Sequence, residues 1–261
     1  MEHSVGAEGV PPVRQAEQQI QAERQLAAAG QKNDKFPLHE AVVQGDIEKV
    51  KECIAKGYNV NAPDGAGWTV LHKAAQAGSK EITELLIAGG ADINAKNKDG
   101  WTALMFSIVD GSLETAKCLI EKGADVSVKN NDGWTAIIFA AQKGRIRLIG
   151  PLLEKGGEIN AKNEDGWTAL MFATAEGRQM IVKILLERGA DINAKNNDGW
   201  TALIMATWKS HAEIVKMLLE KGADVNVKNK RGDTAISIAR AANNQTLIEL
   251  LEKYNAKDKP D

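Results

Sequence analysis

Apolar residues recur along this chain at helical spacing, in short blocks that each stop at a glycine. Leu113, Ala116, Leu119 and Ile120 form one such block, lying between Gly111 and Gly123. The blocks themselves are periodic. The triplet Gly-Trp-Thr stands at Gly67, Gly100, Gly133, Gly166 and Gly199, every step being 33 residues. The same ruler lands forward on Asp233-Thr234 and backward on Lys35-Phe36, which gives seven units. Nine residues after the Thr position come Gly45, Gly78, Gly111, Gly144 and Gly177, then Ser210 and Asn243. Twenty-one residues after it come Gly57, Gly90, Gly123, Gly156, Gly189 and Gly222, then Asn255. Each unit therefore reads as helix, stop, helix, stop and polar turn.

Local chemistry agrees with that reading. Thr102 and its equivalents suit the N-cap of the first helix, a role worth about 1 kcal/mol each. Gly111 and Gly123 suit the left-handed position that ends a helix. Lys122, Lys155, Arg188 and Lys221 close the second helix, where a cation complements the helix dipole. Segments such as Lys96-Asn97-Lys98-Asp99-Gly100 carry tight-turn chemistry. A helical unit of this length buries its apolar face only by stacking on its neighbours, so the fold class is an all-α repeat solenoid.

The repeated motif resembles the ankyrin repeat family over roughly residues 32–256. Trp68-Thr69-Val70-Leu71-His72-Lys73-Ala74-Ala75-Gln76-Ala77-Gly78, followed by Leu85-Leu86 and Gly90-Ala91-Asp92, is the best single unit. The resemblance implies paired helices with β-hairpin-like loops projecting steeply from a curved stack. The family's Thr-Pro-Leu-His becomes Thr-Ala-Leu-Met at Thr102 and Thr168, and Thr-Ala-Ile-Ile at Thr135; the His remains only at His39 and His72. That loss removes a hydrogen bond that braces the hairpin, and apolar packing is expected in its place.

The end units read as caps with polar outer faces. Phe36 replaces the Thr of the first unit, whose exposed positions hold Gln44, Asp46, Glu48, Lys49, Lys51 and Glu52. Residues 1–31 are expected to be disordered or marginally helical, the stretch 13–29 having helix-forming composition but few large apolar side chains. Residues 257–261 form a polar tail.

Composition narrows the function. The formal net charge is -2, from 33 basic and 35 acidic side chains, which gives no general attraction to nucleic acid or to an anionic membrane. No secretory signal or membrane span is expected, and Cys53 and Cys118 form no CxxC pair, so a cytoplasmic location fits. His3, His39, His72 and His211 make no catalytic or zinc motif, no phosphate loop is present, and no cofactor or metal is expected.

Four features stand out as candidates. The first is the column Trp68, Trp101, Trp134, Trp167 and Trp200, at the exit of each hairpin. The resemblance puts that position on the concave side, where ankyrin proteins contact partners, and Trp is enriched in binding hot spots. Stacking on the neighbouring repeat is the competing reading, and uniform repetition favours it. The second is the column Lys96, Lys129, Lys162, Lys195 and Lys228, offset by Asp99, Asp132, Asp165 and Asp198 at the turns. It reads as a partner-binding ladder or as a solvated, self-neutralising face. The third is Trp208, which breaks the register held elsewhere by Gln76, Val109, Gln142 and Ala175, with Lys209 and His211 nearby. The fourth is Gly150-Pro151, inside the second helix of the fourth unit, where a kink or a shortened helix is predicted.

The reading is of a non-enzymatic, monomeric scaffold that binds a protein or peptide along hairpin tips and inner helices. The alternative is a regulatory or targeting module of a larger enzyme or complex.

Overall fold

The computed structural model describes residues 37–255. The N-terminal segment, Phe36 and the tail 257–261 lie outside the described residues. The chain divides into two units, Met1–Pro37 and Leu38–Asp261, and the second contains the repeat array.

The described residues form seven consecutive helix pairs: α1 (Pro37–Gln44) with α2 (Ile47–Ala55), α3 (Val70–Ala77) with α4 (Lys80–Ala88), α5 (Ala103–Asp110) with α6 (Leu113–Glu121), α7 (Ala136–Gln142) with α8 (Ile146–Glu154), α9 (Ala169–Ala175) with α10 (Gln179–Glu187), α11 (Ala202–Trp208) with α12 (Ala212–Glu220), and α13 (Ala235–Ala241) with α14 (Gln245–Lys253). From the second repeat on, each first helix packs on the first helix of the next repeat, and throughout each second helix packs on the next second helix. The first helices are the core row. All seven residues of α7 are buried, because this helix lies between two neighbouring first helices and its own partner. The second helices bury only one stripe, for instance Leu148, Ile149 and Leu152 of α8.

Caps set the boundaries. Thr102, Thr168, Thr201 and Thr234 each accept a hydrogen bond from the backbone N–H three residues on. The positions expected to end helices are left-handed. Among the described residues, those with positive φ other than glycine are Ser210 (57°), Asn243 (51°) and Asn255 (62°), the positions where the ruler runs out of glycine. Serine is costly there, since its Cβ approaches the following carbonyl oxygen. Replacing Ser210 with Gly is therefore expected to raise stability by up to about 1 kcal/mol. Urea unfolding would read this directly. A loss of stability would instead mean that the bond from Asn244 Nδ2 to Ser210 Oγ, at 3.4 Å, outweighs the strain.

The helix containing Pro151 is not shortened. α8 runs for 9 residues, the same as α6 and α10. Proline removes one N–H that would have bonded the Arg147 carbonyl, and Arg147 is exposed, so water can take up that carbonyl. The fully buried stripe Leu148, Ile149 and Leu152 anchors the helix on both sides of the interruption.

Candidate partner-binding surface

The loops between repeats are organised by a residue next to each lysine of the column. Asn97 Oδ1 accepts from the backbone N–H of Trp101 at 2.8 Å and of Asp99 at 3.0 Å. Asn130, Asn163 and Asn196 hold Trp134, Trp167 and Trp200 in the same way, at 2.7–2.8 Å. Asp64 does this for Trp68, and Asn229 for Asp233. These asparagines are 5–7% exposed. Burial in this case is affordable because the side chain replaces water for backbone donors that have no other acceptor. The loop closes by backbone bonds, Asn97 N–H to the Trp101 carbonyl and Gly100 N–H to the Asn97 carbonyl, both 3.0 Å. Successive loops then join, the N–H of Asn131, Glu164, Asn197 and Lys230 donating to the carbonyls of Asp99, Asp132, Asp165 and Asp198. The hairpin-like loops are thus turns bonded to one another, with no extended strand among the described residues. Glycine is required beside the Trp on two counts. Gly133 has a φ of 78°, and a Cβ on it would lie 2.8 Å from the backbone nitrogen of Glu164.

Four tryptophans of the column lie inside the array, with Trp68, Trp101, Trp134 and Trp167 only 2–7% exposed. They alternate with Phe106, Phe139 and Phe172, which share one position in successive first helices. The ring centroids run Trp68–Phe106 4.2 Å, Phe106–Trp101 4.9 Å, Trp101–Phe139 4.7 Å, Phe139–Trp134 4.8 Å, Trp134–Phe172 4.6 Å and Phe172–Trp167 4.8 Å. Each Phe touches the Trp of its own repeat and that of the repeat before, so the ladder ties repeats together. At the start of the ladder Lys73 Nζ lies 3.9 Å from the Trp68 ring centroid. At its far end the equivalent position is Met205, and the run of Phe stops.

Trp200 and Trp208 occupy that interruption. Both are half-buried, and their rings meet edge-on at 5.6 Å. Lys209 Nζ covers the Trp208 ring at 4.3 Å. In register, the neighbours of Trp208 are Ala175 and Ala241, small side chains on either side of an indole. The Lys column lies on the exposed edge. Lys96 Nζ donates to the Lys129 carbonyl at 3.1 Å and Lys162 Nζ to the Lys195 carbonyl at 2.9 Å, so these two cations bridge repeats. Lys129, Lys195 and Lys228 are exposed.

Of the two family histidines, His72 is fully buried. Its Nδ1 accepts from the Thr69 N–H at 3.0 Å, which leaves Nε2 protonated to donate to the Trp101 carbonyl at 3.0 Å. Burial pushes its imidazole below the usual histidine range, against the opposing effect of its bonds to the Trp101 and Ala95 backbone. The third to sixth repeats hold Met105, Ile138, Met171 and Ile204 there, all within 1% of full burial, so apolar packing replaces the His in them, whereas in the seventh Ser237 keeps the bond, its Oγ accepting from the Thr234 N–H at 3.0 Å. The Phe and Asn columns carry much of this geometry and were not singled out from the sequence, although both keep the 33-residue spacing.

Chemistry of other kinds is sparse. Among the described residues no three His, Cys, Asp or Glu side chains stand close enough to hold a metal. Among them, too, no helix is long and apolar enough to cross a membrane.

A stack of helix pairs joined by bonded loops defines a repeat solenoid. The family model for ankyrin repeats (3 copies) matches residues 18–97, 38–130, 78–163, 137–229 and 194–260, and the chain belongs to the ankyrin repeat family. Comparison with curated proteins found no match. Among solved structures, the chain is similar to the ankyrin repeat domain of Bcl-3, a unique member of the IkappaB protein family, at 28% identity and a TM-score of 0.75, over 85% of this chain and 100% of that one. It is also similar to the human ASB11 ankyrin repeat domain, at 28% identity and a TM-score of 0.74, over 86% of this chain and 99% of that one. Ankyrin repeat domains are generally protein–protein interaction modules and are typically non-catalytic.

Proposed function

We propose that this chain is a non-catalytic, monomeric, cytoplasmic scaffold that holds a protein or peptide partner along its concave first-helix face and hairpin tips. The observation that carries this reading is the interruption at Trp208. One repeat places a half-buried indole where its neighbours place Ala175 and Ala241, next to a second half-buried indole, Trp200. Large, rigid aromatic surface with a cation on its face is the chemistry of a binding anchor. Lys209 leaves the ring for a partner carboxylate, and an apolar partner group takes its place. Trp68, Trp101, Trp134 and Trp167 contribute from within the ladder by fixing the loops, and the exposed Lys129, Lys195 and Lys228 form the rim. A net charge of -2 favours protein over nucleic acid as the partner.

Affinity capture from native cell extract with the full chain, beside a Trp208→Ala variant, tests this. Wild type is expected to retain a partner that the variant loses by roughly tenfold or more in affinity. The variant should still unfold cooperatively, since Trp208 is only half-buried. Equal retention of every partner by the two proteins would remove Trp208 from the site.

A further inference from the structure

The turn edge of the array, away from the hairpins, breaks its own repeat chemistry in the fourth and fifth repeats. The position just before each second helix holds Asp46, Ser79 and Ser112 in the first three repeats, then Arg145, Arg178 and His211. Two residues on, Glu48, Glu81 and Glu114 give way to Arg147 and Met180, and Glu213 restores the acid in the sixth repeat. Elsewhere the outer faces neutralise themselves, as in Lys51–Glu48 at 2.8 Å and Lys117–Glu114 at 3.4 Å.

Arg145 is held in place by the repeat before it. Arg145 cannot cap α8, so its side chain turns back and donates from Nε to the Ile108 carbonyl and from Nη2 to the Val109 carbonyl, both at 3.0 Å. These are the last carbonyls of α5, where a cation is favourable. Its guanidinium lies across Gly111, and that of Arg178 lies across Gly144, glycines that leave room for a planar group. Beside Arg145 a cleft of about 260 Å³ opens between the third and fourth repeats, with Ile108, Leu113, Ile146 and Leu148 in its walls. Two of the chain's large exposed apolar side chains stand in this same region: Ile146, 38% exposed, and Met180, 58% exposed.

We propose that this edge, over the fourth and fifth repeats, is a docking surface for an acidic peptide segment that carries an apolar side chain. The apolar side chain enters the cleft at Ile146, and flanking carboxylates pair with Arg145, Arg147 and Arg178. Arginine suits this role because its fixed fork matches a carboxylate. Glu114 and Glu213 flank these arginines and the exposed Glu176 stands just before Arg178, so the positive surface is short, which suits a short acidic segment and disfavours a long polyanion such as nucleic acid. It uses none of the residues of the surface built on Trp208.

The test uses the full chain and a fluorescein-labelled Glu-Glu-Leu-Leu-Glu-Glu peptide, read by anisotropy at low salt and by amide chemical-shift mapping. Saturable binding is expected, with shifts confined to residues 108–114, 144–148 and 177–181. Arg147→Glu and Met180→Asp, both at exposed positions, are expected to weaken binding by about tenfold or more each. Circular dichroism establishes that each variant is folded. Four results would each overturn the proposal: no saturable binding at millimolar peptide, equal binding to an all-glutamate peptide, equal binding to the lysine counterpart, or tighter binding of single-stranded DNA at the same residues.

Discussion

Replacing Phe139 with Ala is expected to cost about 3–5 kcal/mol and to split a single unfolding transition into separable steps. The side chain is 2% exposed and sits between Trp101 at 4.7 Å and Trp134 at 4.8 Å. Truncation removes the buried ring, leaves a cavity, and cuts the aromatic connection between the third and fourth repeats. In a solenoid, stability is a sum of repeat and interface contributions, and a weakened interface lets one side unfold before the other. Urea titration followed by Trp fluorescence reads both effects. A change of midpoint with an unaltered slope and coincident far-UV signal would show that the ladder stabilises without coupling the repeats. Phe139→Leu, which keeps most of the volume, is expected to cost less while weakening the same coupling.

The second large effect is expected at His72. Its removal by Ala leaves the Thr69 N–H buried without its partner and takes from the Trp101 carbonyl one of its two donors, the Asn97 N–H remaining, at a cost of about 2–3 kcal/mol. His72→Met is expected to be milder, because Met105 and Met171 fill the same position in other repeats. The pH dependence separates the hydrogen bonds from the packing. Burial lowers the His72 pKa in the fold, so the unfolded chain binds the proton more tightly. The resulting stability is fully present above the ordinary histidine value of about 6.5 and is lost as pH falls below it towards the folded value. His39 is lowered by burial as well and acts with the same sign. The melting temperature should therefore fall more for wild type than for His72→Met between about pH 7.5 and pH 5. Parallel curves for the two proteins would mean that the fold takes up a proton at His72 as readily as the unfolded chain does.

Much of the architecture was legible along the chain, because each repeat restates its local rules. Thr caps, left-handed stops and terminal cations are each decided by the chemistry of one or two neighbouring residues, and the periodic glycines mark them. The Trp residues illustrate the boundary. Their place at the hairpin exit follows from the ruler, but whether they face a partner or a neighbouring repeat depends on what lies across the repeat interface. Phe106, Phe139 and Phe172 keep the same period, yet an apolar side chain four residues into a helix reads as ordinary core until the repeats are stacked. The buried Asn column was visible only as turn chemistry, because its backbone donors come from the loop it closes. Pro151 was expected to kink or shorten its helix; the buried stripe around it and the exposed carbonyl it orphans let α8 keep its full length.

The sequence by itself determined the period, the helix pairs, their caps and the family, since these rest on interactions within about ten residues of chain. Only the tertiary structure decided which periodic residues are core and which are surface. The aromatic ladder, the loop-to-loop bonds and the arginines lying across neighbouring glycines all join residues about one repeat apart, and such contacts exist only when one repeat's face is laid against the next.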